Sequence, residues 1–230
     1  AVNERVQVGG QPLPEQSFCR YVTDFLRLAR PLADDLTYFE LTVALALWVF
    51  AQEQVTDAVV EVGIGGLRDA TNALQSASKL CLVSAVGLDH TEILGSNVAE
   101  IAAQKAGIVG PGNTVVVVDQ DEQVLQVVRD RADAVGARML VAGYPAGANF
   151  QARNEALARA AVGVLAARDG LRQDDALVFG HLLLERLEIA SLALDEGVHD
   201  DDAHLVAPDA GGQRLAHAAD ERVHGDNRGD

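Results

Sequence analysis

Lysine is nearly absent from this chain. Its 230 residues include Lys79 and Lys105 and no other lysine, and 18 Lys+Arg stand against 34 Asp+Glu for a formal net charge of −16. Such a shortage of cations argues against a nucleic-acid partner, because neutralising a phosphate backbone takes clustered Lys and Arg. Cysteine is as scarce. Cys19 and Cys81 lie far apart and form no CxxC pair, which excludes a disulfide framework and a zinc knuckle and fits a reducing, cytoplasmic compartment. Long apolar runs are missing as well. The longest, residues 41–51, falls well short of the ~20 residues that a spanning helix needs, and no basic-then-apolar signal opens the chain, so no membrane role is expected.

Two nucleotide-binding fingerprints are also lacking. A GxGxxG pattern starting at Gly63 would need a glycine at position 68, where Arg68 stands. A GxxxxGK[ST] loop needs a glycine before its lysine, and Lys79 and Lys105 follow Ser78 and Gln104. Neither phosphate cradle is written in these residues.

What is present is a chain with 49% hydrophobic residues, enough to bury one sizeable core. Charge divides it unevenly. Residues 174–230 carry 4 Lys+Arg against 14 Asp+Glu, a net of −10, and hold five of the six histidines (His181, His199, His204, His217 and His224). We therefore expect a folded domain over 1–173 and an irregular acidic tail over 174–230, poorly ordered after about Leu194.

Periodicity organises the first part. Phe18, Val22, Phe25, Leu26 and Ala29 recur at helical spacing within Gln16 to Arg30, and Pro31 stops that helix. Thr37 and Glu40 form a capping-box pattern ahead of a second helix through Phe50. The period then shortens. Ala58 to Val62, Leu80 to Val86, Thr114 to Val118 and Met139 to Val141 are short apolar runs suited to buried strands. Asn97 to Ala106, Glu122 to Val135 and Gln151 to Arg168 read as helices between and after them. Alternating strands and helices predict an α/β fold with a mostly parallel sheet flanked by helices.

Chemistry is expected where these strands end. Glu61 puts a carboxylate at the carboxyl end of an apolar strand, where it faces a cation or nest of donors, or else caps the Gly63-Ile64-Gly65-Gly66 turn. His90 sits in the polar turn Asp89-His90-Thr91-Glu92, as a metal ligand or a capping residue. One carboxylate plus one imidazole can hold Mg²⁺ if phosphate oxygens complete the shell. Lys105, near the end of a predicted helix, reads by itself as a solvated lysine that complements the helix dipole.

Seven segments follow in order: Asn3-Glu4-Arg5, Leu36-Thr37-Tyr38-Phe39-Glu40, Glu61-Val62-Gly63-Ile64-Gly65-Gly66, Asp69-Ala70-Thr71-Asn72, Gly87-Leu88-Asp89-His90, Gln104-Lys105-Ala106-Gly107-Ile108 and Gln151-Ala152-Arg153-Asn154. Together they resemble the folylpolyglutamate synthase and dihydrofolate synthase branch of the Mur ligases over roughly residues 1–170. Seven ordered matches are far more specific than any one. The resemblance implies part of a P-loop NTPase-like central domain. It also implies an ADP-forming ligase that uses ATP and Mg²⁺ to join glutamate to a folate or pteroate carboxylate. On that basis Glu61 and His90 would bind the metal, and Lys105 would be the lysine that carries a carbamate. Phe39, Asp69, Ala70 and Thr71 would line the pterin pocket, while Gln151 and Asn154 would touch the nucleotide.

The departures from the family pattern are specific. The family's phosphate loop and a metal-binding SPH segment precede the Asn-Glu-Arg motif, on which this chain almost begins. Arg68 is displaced by one place from the family's GGRLDATN, and Phe150 stands where histidine is usual. Beyond about Leu177 nothing resembles the family's carboxyl-terminal domain. The expectation is therefore a fragment without turnover of its own. The alternatives are a non-catalytic remnant serving as an interaction module and a Mur ligase acting on a peptidoglycan precursor.

Overall fold

Residues 2–170, Gly180 and residues 205–207 are described in the computed structural model of the chain. Two sheets share the strands. The first runs β2 (Gln11–Pro12), β1 (Val6–Val8), β7 (Leu205–Ala207), β3 (Val59–Val60), and the second runs β4 (Leu80–Val83), β5 (Thr114–Val118), β6 (Arg138–Ala142). The second sheet is parallel throughout, as the alternation of elements predicts. The first is mixed: β1 pairs antiparallel with β2 and parallel with β7, and β3 pairs antiparallel with β7. The β1–β2 hairpin turns at Gly9 and Gly10, both at positive φ, where a side chain would strain the backbone.

Helices α1 (Glu15–Ala29) and α2 (Tyr38–Gln52) pack together around Val43, Ala46, Val49 and Phe50, with Val6 of β1 in the same cluster. The capping box read from sequence is formed. Thr37 Oγ1 accepts from the Glu40 amide at 3.2 Å, and the Glu40 carboxylate accepts from the Thr37 amide at 2.7 Å. On α1 the buried stripe differs from the spacing argument. Tyr21 and Phe25 face the core, whereas Leu26 is 48% exposed. The reason is a polar partner, since the Tyr21 hydroxyl donates to Glu53 while its ring meets Trp48 edge-on at 5.7 Å.

The parallel sheet has a core on each face. On one side Val115, Val117, Cys81 and Val83 pack with α4 (Val98–Ala106) and α5 (Glu122–Val135) through Ala106, Leu125 and Val128. On the other, Val116 and Ala142 pack with Leu157 of α6 (Phe150–Asp169). β5 is therefore buried on both faces, which accounts for its near-continuous valine run. A short helix, α3 (Thr91–Leu94), precedes α4.

Asn113 closes the amino end of this sheet. It is 2% exposed, its Oδ1 accepts from Gly110 N at 2.9 Å, and its Nδ2 donates to Ser76 O at 2.6 Å. Its own carbonyl accepts from Arg138 N at 2.9 Å. The expected acidic tail over 174–230 lies outside the described residues apart from Gly180 and β7. No helix among the described residues is long and apolar enough to cross a membrane.

Candidate active site

The segment from Glu61 to Asn72 leaves β3, crosses the carboxyl end of α4, and is fixed by backbone contacts that only glycine permits. A Cβ on Gly63 would lie 2.7 Å from the Phe39 ring and 3.2 Å from Asp69 Oδ2. At Gly66, with φ +147°, it would lie 2.7 Å from Ile108 Cγ2 and 2.9 Å from the Gln104 carbonyl. Leu67 N donates to that same carbonyl at 2.8 Å. The loop thus rests on the last turn of α4 with its backbone almost touching the helix.

Asp69 organises the loop from within. Its Oδ2 accepts from Ile64 N at 3.0 Å, and its Oδ1 accepts from the amide and hydroxyl of Thr71. The side chain is 9% exposed. Asn72 then ties the segment to α4: its Nδ2 donates to Leu67 O and to Gly107 O, both at 3.2 Å. The fold therefore brings both Phe39 and Asp69 against Gly63, with Ala70 and Thr71 starting the 3-10 turn that follows.

Lys105 reaches the site from α4. Burial pushes its amine below the ordinary 10.5, and the Asp89 carboxylate pulls it part of the way back. The solvated lysine that its sequence position suggests is thus replaced by a half-buried amine near a carboxylate. Asp89 also holds the neighbouring turn. Its Oδ1 accepts from His90 N at 2.9 Å, and its Oδ2 lies 3.5 Å from His90 Nε2. His90 adopts φ 45°, ψ 44°, an uncommon conformation for a residue with a side chain.

Glu61 follows β3 directly, and its Oε2 is fully buried. Among the described residues no three His, Cys, Asp or Glu side chains group closely enough to hold an ion by themselves. A carboxylate and an imidazole such as those of Glu61 and His90 suit Mg²⁺ only if phosphate oxygens occupy further positions.

The remaining two sequence candidates sit on α6 and differ in placement. Asn154 is 4% exposed and heads the buried stripe Asn154, Leu157, Ala158, Ala161 that faces the sheet. Gln151 is exposed. Asn149 caps this helix by accepting from Ala152 N at 3.0 Å. Sequence reasoning passed over Arg153, whose guanidinium lies 4.9 Å from the Tyr144 ring centre and whose Nε is buried without a hydrogen-bond partner among the described residues. It also passed over Gln120, which joins the loops after β4 and β5. The signal for Gln120 is its place two residues beyond a strand end.

Comparisons with known proteins agree with this α/β fold. The mitochondrial folylpolyglutamate synthase of Homo sapiens is 41% identical over 142 residues, which cover 58% of this chain and 24% of that protein. A probable bifunctional folylpolyglutamate synthase/dihydropteroate synthase of Halobacterium salinarum is 33% identical over 205 residues, covering 88% of this chain and 25% of that protein. Among solved structures, an FPGS–AMPPCP–folate complex superposes with a TM-score of 0.68 at 28% identity, over 77% of this chain and 52% of that one. The chain therefore spans about a quarter of the length of the curated relatives it matches. No family model matches it.

Proposed function

From the premise that the chain belongs to the folylpolyglutamate synthase family, we propose that residues 2–170 form the acceptor-facing part of an ATP-dependent ligase domain. The reaction is the joining of glutamate to a folate or dihydropteroate carboxylate. The observation that carries this reading is the wall at Gly63, where an aromatic ring and a fixed carboxylate converge on a residue with no side chain. A flat heteroaromatic acceptor with ring N–H groups suits such a wall, because Phe39 offers a face and Asp69 an acceptor of fixed direction.

In this reading Phe39, Asp69, Ala70 and Thr71 orient the pterin, and Asn154 with Gln151 contacts the nucleotide. Glu61 and His90 would hold Mg²⁺ together with phosphate oxygens, and the ion would supply charge neutralisation for phosphoryl transfer to the acceptor carboxylate. Lys105 is the carbamate-bearing residue. Its lowered basicity leaves more neutral amine to attack the carbon of CO₂, so an N–C bond forms, the amine proton leaves, and an anionic oxygen donor results. Thiol chemistry supports a reducing, cytoplasmic setting, since Cys19 and Cys81 are both free.

Binding to dihydropteroate, read by calorimetry, tests the reading. Phe39→Ala should weaken it at least tenfold, while the exposed neighbour Tyr38→Ala leaves it unchanged. Equal affinity in all three proteins would overturn the assignment. Because the β- and γ-phosphates have no Walker A cradle in these 230 residues, this polypeptide alone should form no ADP. ADP formation that depends on both glutamate and acceptor would show that it is a complete catalyst.

A further inference from the structure

The carboxamide of Gln120 makes three hydrogen bonds. Its Oε1 accepts from Val86 N at 2.8 Å, and its Nε2 donates to Ser84 O at 3.2 Å and Val118 O at 3.3 Å. The first two bonds reproduce a specific backbone pattern. In a parallel ladder one residue accepts from the N–H of position j+1 on its neighbour and donates to the C=O of position j−1, and here j is Ala85. The peptide groups of β4 and β5 pair as far as Val83 and Val117. Asp119 N donates to Ala142 O of β6 at 2.9 Å, on the side of β5 away from β4. Past the last main-chain pair, the side chain of Gln120 thus supplies the link between the two loops, and its bond to Val118 O ties that link to the end of β5.

From this we infer that Gln120 is a positioning residue: by standing in for a peptide group, it fixes the direction in which the chain leaves β4 and so delivers Asp89 and His90 to the site. Three residues, Gly87 to Asp89, separate this side-chain bridge from His90. Gly87 is exposed with nothing within 4 Å of a built Cβ, and Leu88 is 65% exposed. Packing therefore does little to steer the middle of the turn, and its two ends carry the constraint: Gln120 at Ser84 and Val86, and Asp89 on the His90 amide. The inference rests on the reading of His90 as a metal ligand for its catalytic meaning, but not for its geometry.

The test uses the whole chain, with the His90 ring signal assigned in an NMR spectrum by its loss in His90→Gln. Gln120→Met keeps the side-chain length and removes both bridges. It should speed exchange of the Val86 amide about tenfold, as expected for losing one net hydrogen bond, and shift the His90 ring signal while the β5 amides keep their protection. Gln120→Glu retains an acceptor for Val86 N but sets a second oxygen against the Ser84 carbonyl. It should shift the same ring signal, and it decides the matter if the methionine variant does not fold. An unmoved His90 signal in the folded variants would overturn the proposal. Added Mn²⁺ separates the two readings. Broadening of His90 in the parent that weakens several-fold in the variants supports both, and equal broadening in parent and variants refutes positioning. Absence of broadening in the parent rejects the metal assignment alone, leaving positioning to be decided by the ring signal and amide exchange.

Discussion

Replacing Gly107 with alanine sets two general expectations against each other, and the structure decides between them. Gly107 has φ −57° and ψ −19° at the end of α4, a conformation open to any residue. An alanine there should therefore stabilise the protein by about 0.4–1 kcal/mol, because it lowers the entropy of the unfolded chain. The surroundings reverse the sign. A Cβ would lie 2.4 Å from Leu67 Cβ and 2.5 Å from Leu67 Cα, so main chain and not a flexible tip stands in the way. Overpacking of this kind costs about 1–3 kcal/mol. Relief requires the 63–69 loop to lift, which strains the 2.8 Å bond from Leu67 N to Gln104 O and the Asn72 bridge to Leu67 O and Gly107 O, at about 1 kcal/mol each. The net expectation is a loss of roughly 2–4 kcal/mol, from these same ranges. Urea unfolding followed by circular dichroism measures it. Gly163→Ala on α6 is the internal control: the glycine is exposed and helical, nothing lies within 4 Å of its built Cβ, and a gain of about 0.5–1 kcal/mol should follow. A Gly107→Ala protein as stable as the parent would refute the close packing of this loop on α4.

The other expectations address single groups. Thr37→Ala removes the capping box of α2 and should cost about 1–2 kcal/mol in the same urea assay; a smaller loss than 0.5 kcal/mol would mean that the helix start is held from elsewhere. Burial raises the Cys81 thiol from 9.0 to about 11, so the folded protein keeps a proton that the unfolded chain releases. Stability should accordingly fall as pH rises from about 9 to 11, by about 2–3 kcal/mol for this group. A Cys81→Ala protein should show a shallower decline over that window, and parallel curves would contradict the assignment. Glu61→Ala should abolish Mn²⁺ binding measured by electron paramagnetic resonance, and retained affinity would remove Glu61 from the metal site.

Signals confined to one element were legible in the sequence. Thr37 and Glu40 announced the start of α2, and the amphipathic run from Glu122 to Val135 has the bounds of α5. β1 and β2 escaped notice because runs of three and two residues are too short to show a period, although Gly9-Gly10 marked their turn. β3 is shorter than the apolar run that suggested it, since its outer residues find no pairing partner among the described strands. At the site, motif wording drew attention to Asp69 and Lys105. The fold adds that Asp69 fastens a loop and that Lys105 lies near Asp89. Asn113 and Gln120 could not be found this way, because an amide that replaces a peptide group looks in sequence like any polar loop residue.

These two amides have a joint consequence for how β5 recognises its place. Thr114–Val118 reads TVVVV, so sliding the strand by two residues against β4 would replace valine with valine at two of its five positions and bring Asp119 and Gln120, or Gly112 and Asn113, into its ends. Within that valine centre, side-chain shape and hydrophobicity do not distinguish the slipped pairing from the native one, the situation in which strand register is weakly specified. The information lies at the ends. A two-residue slip would carry the Asn113 amide away from Ser76 O and the Gln120 amide away from Val86 N and Ser84 O, leaving several groups without partners at once. The uniform centre of the strand provides cohesion, and two carboxamides outside it act as the index marks that align the sheet.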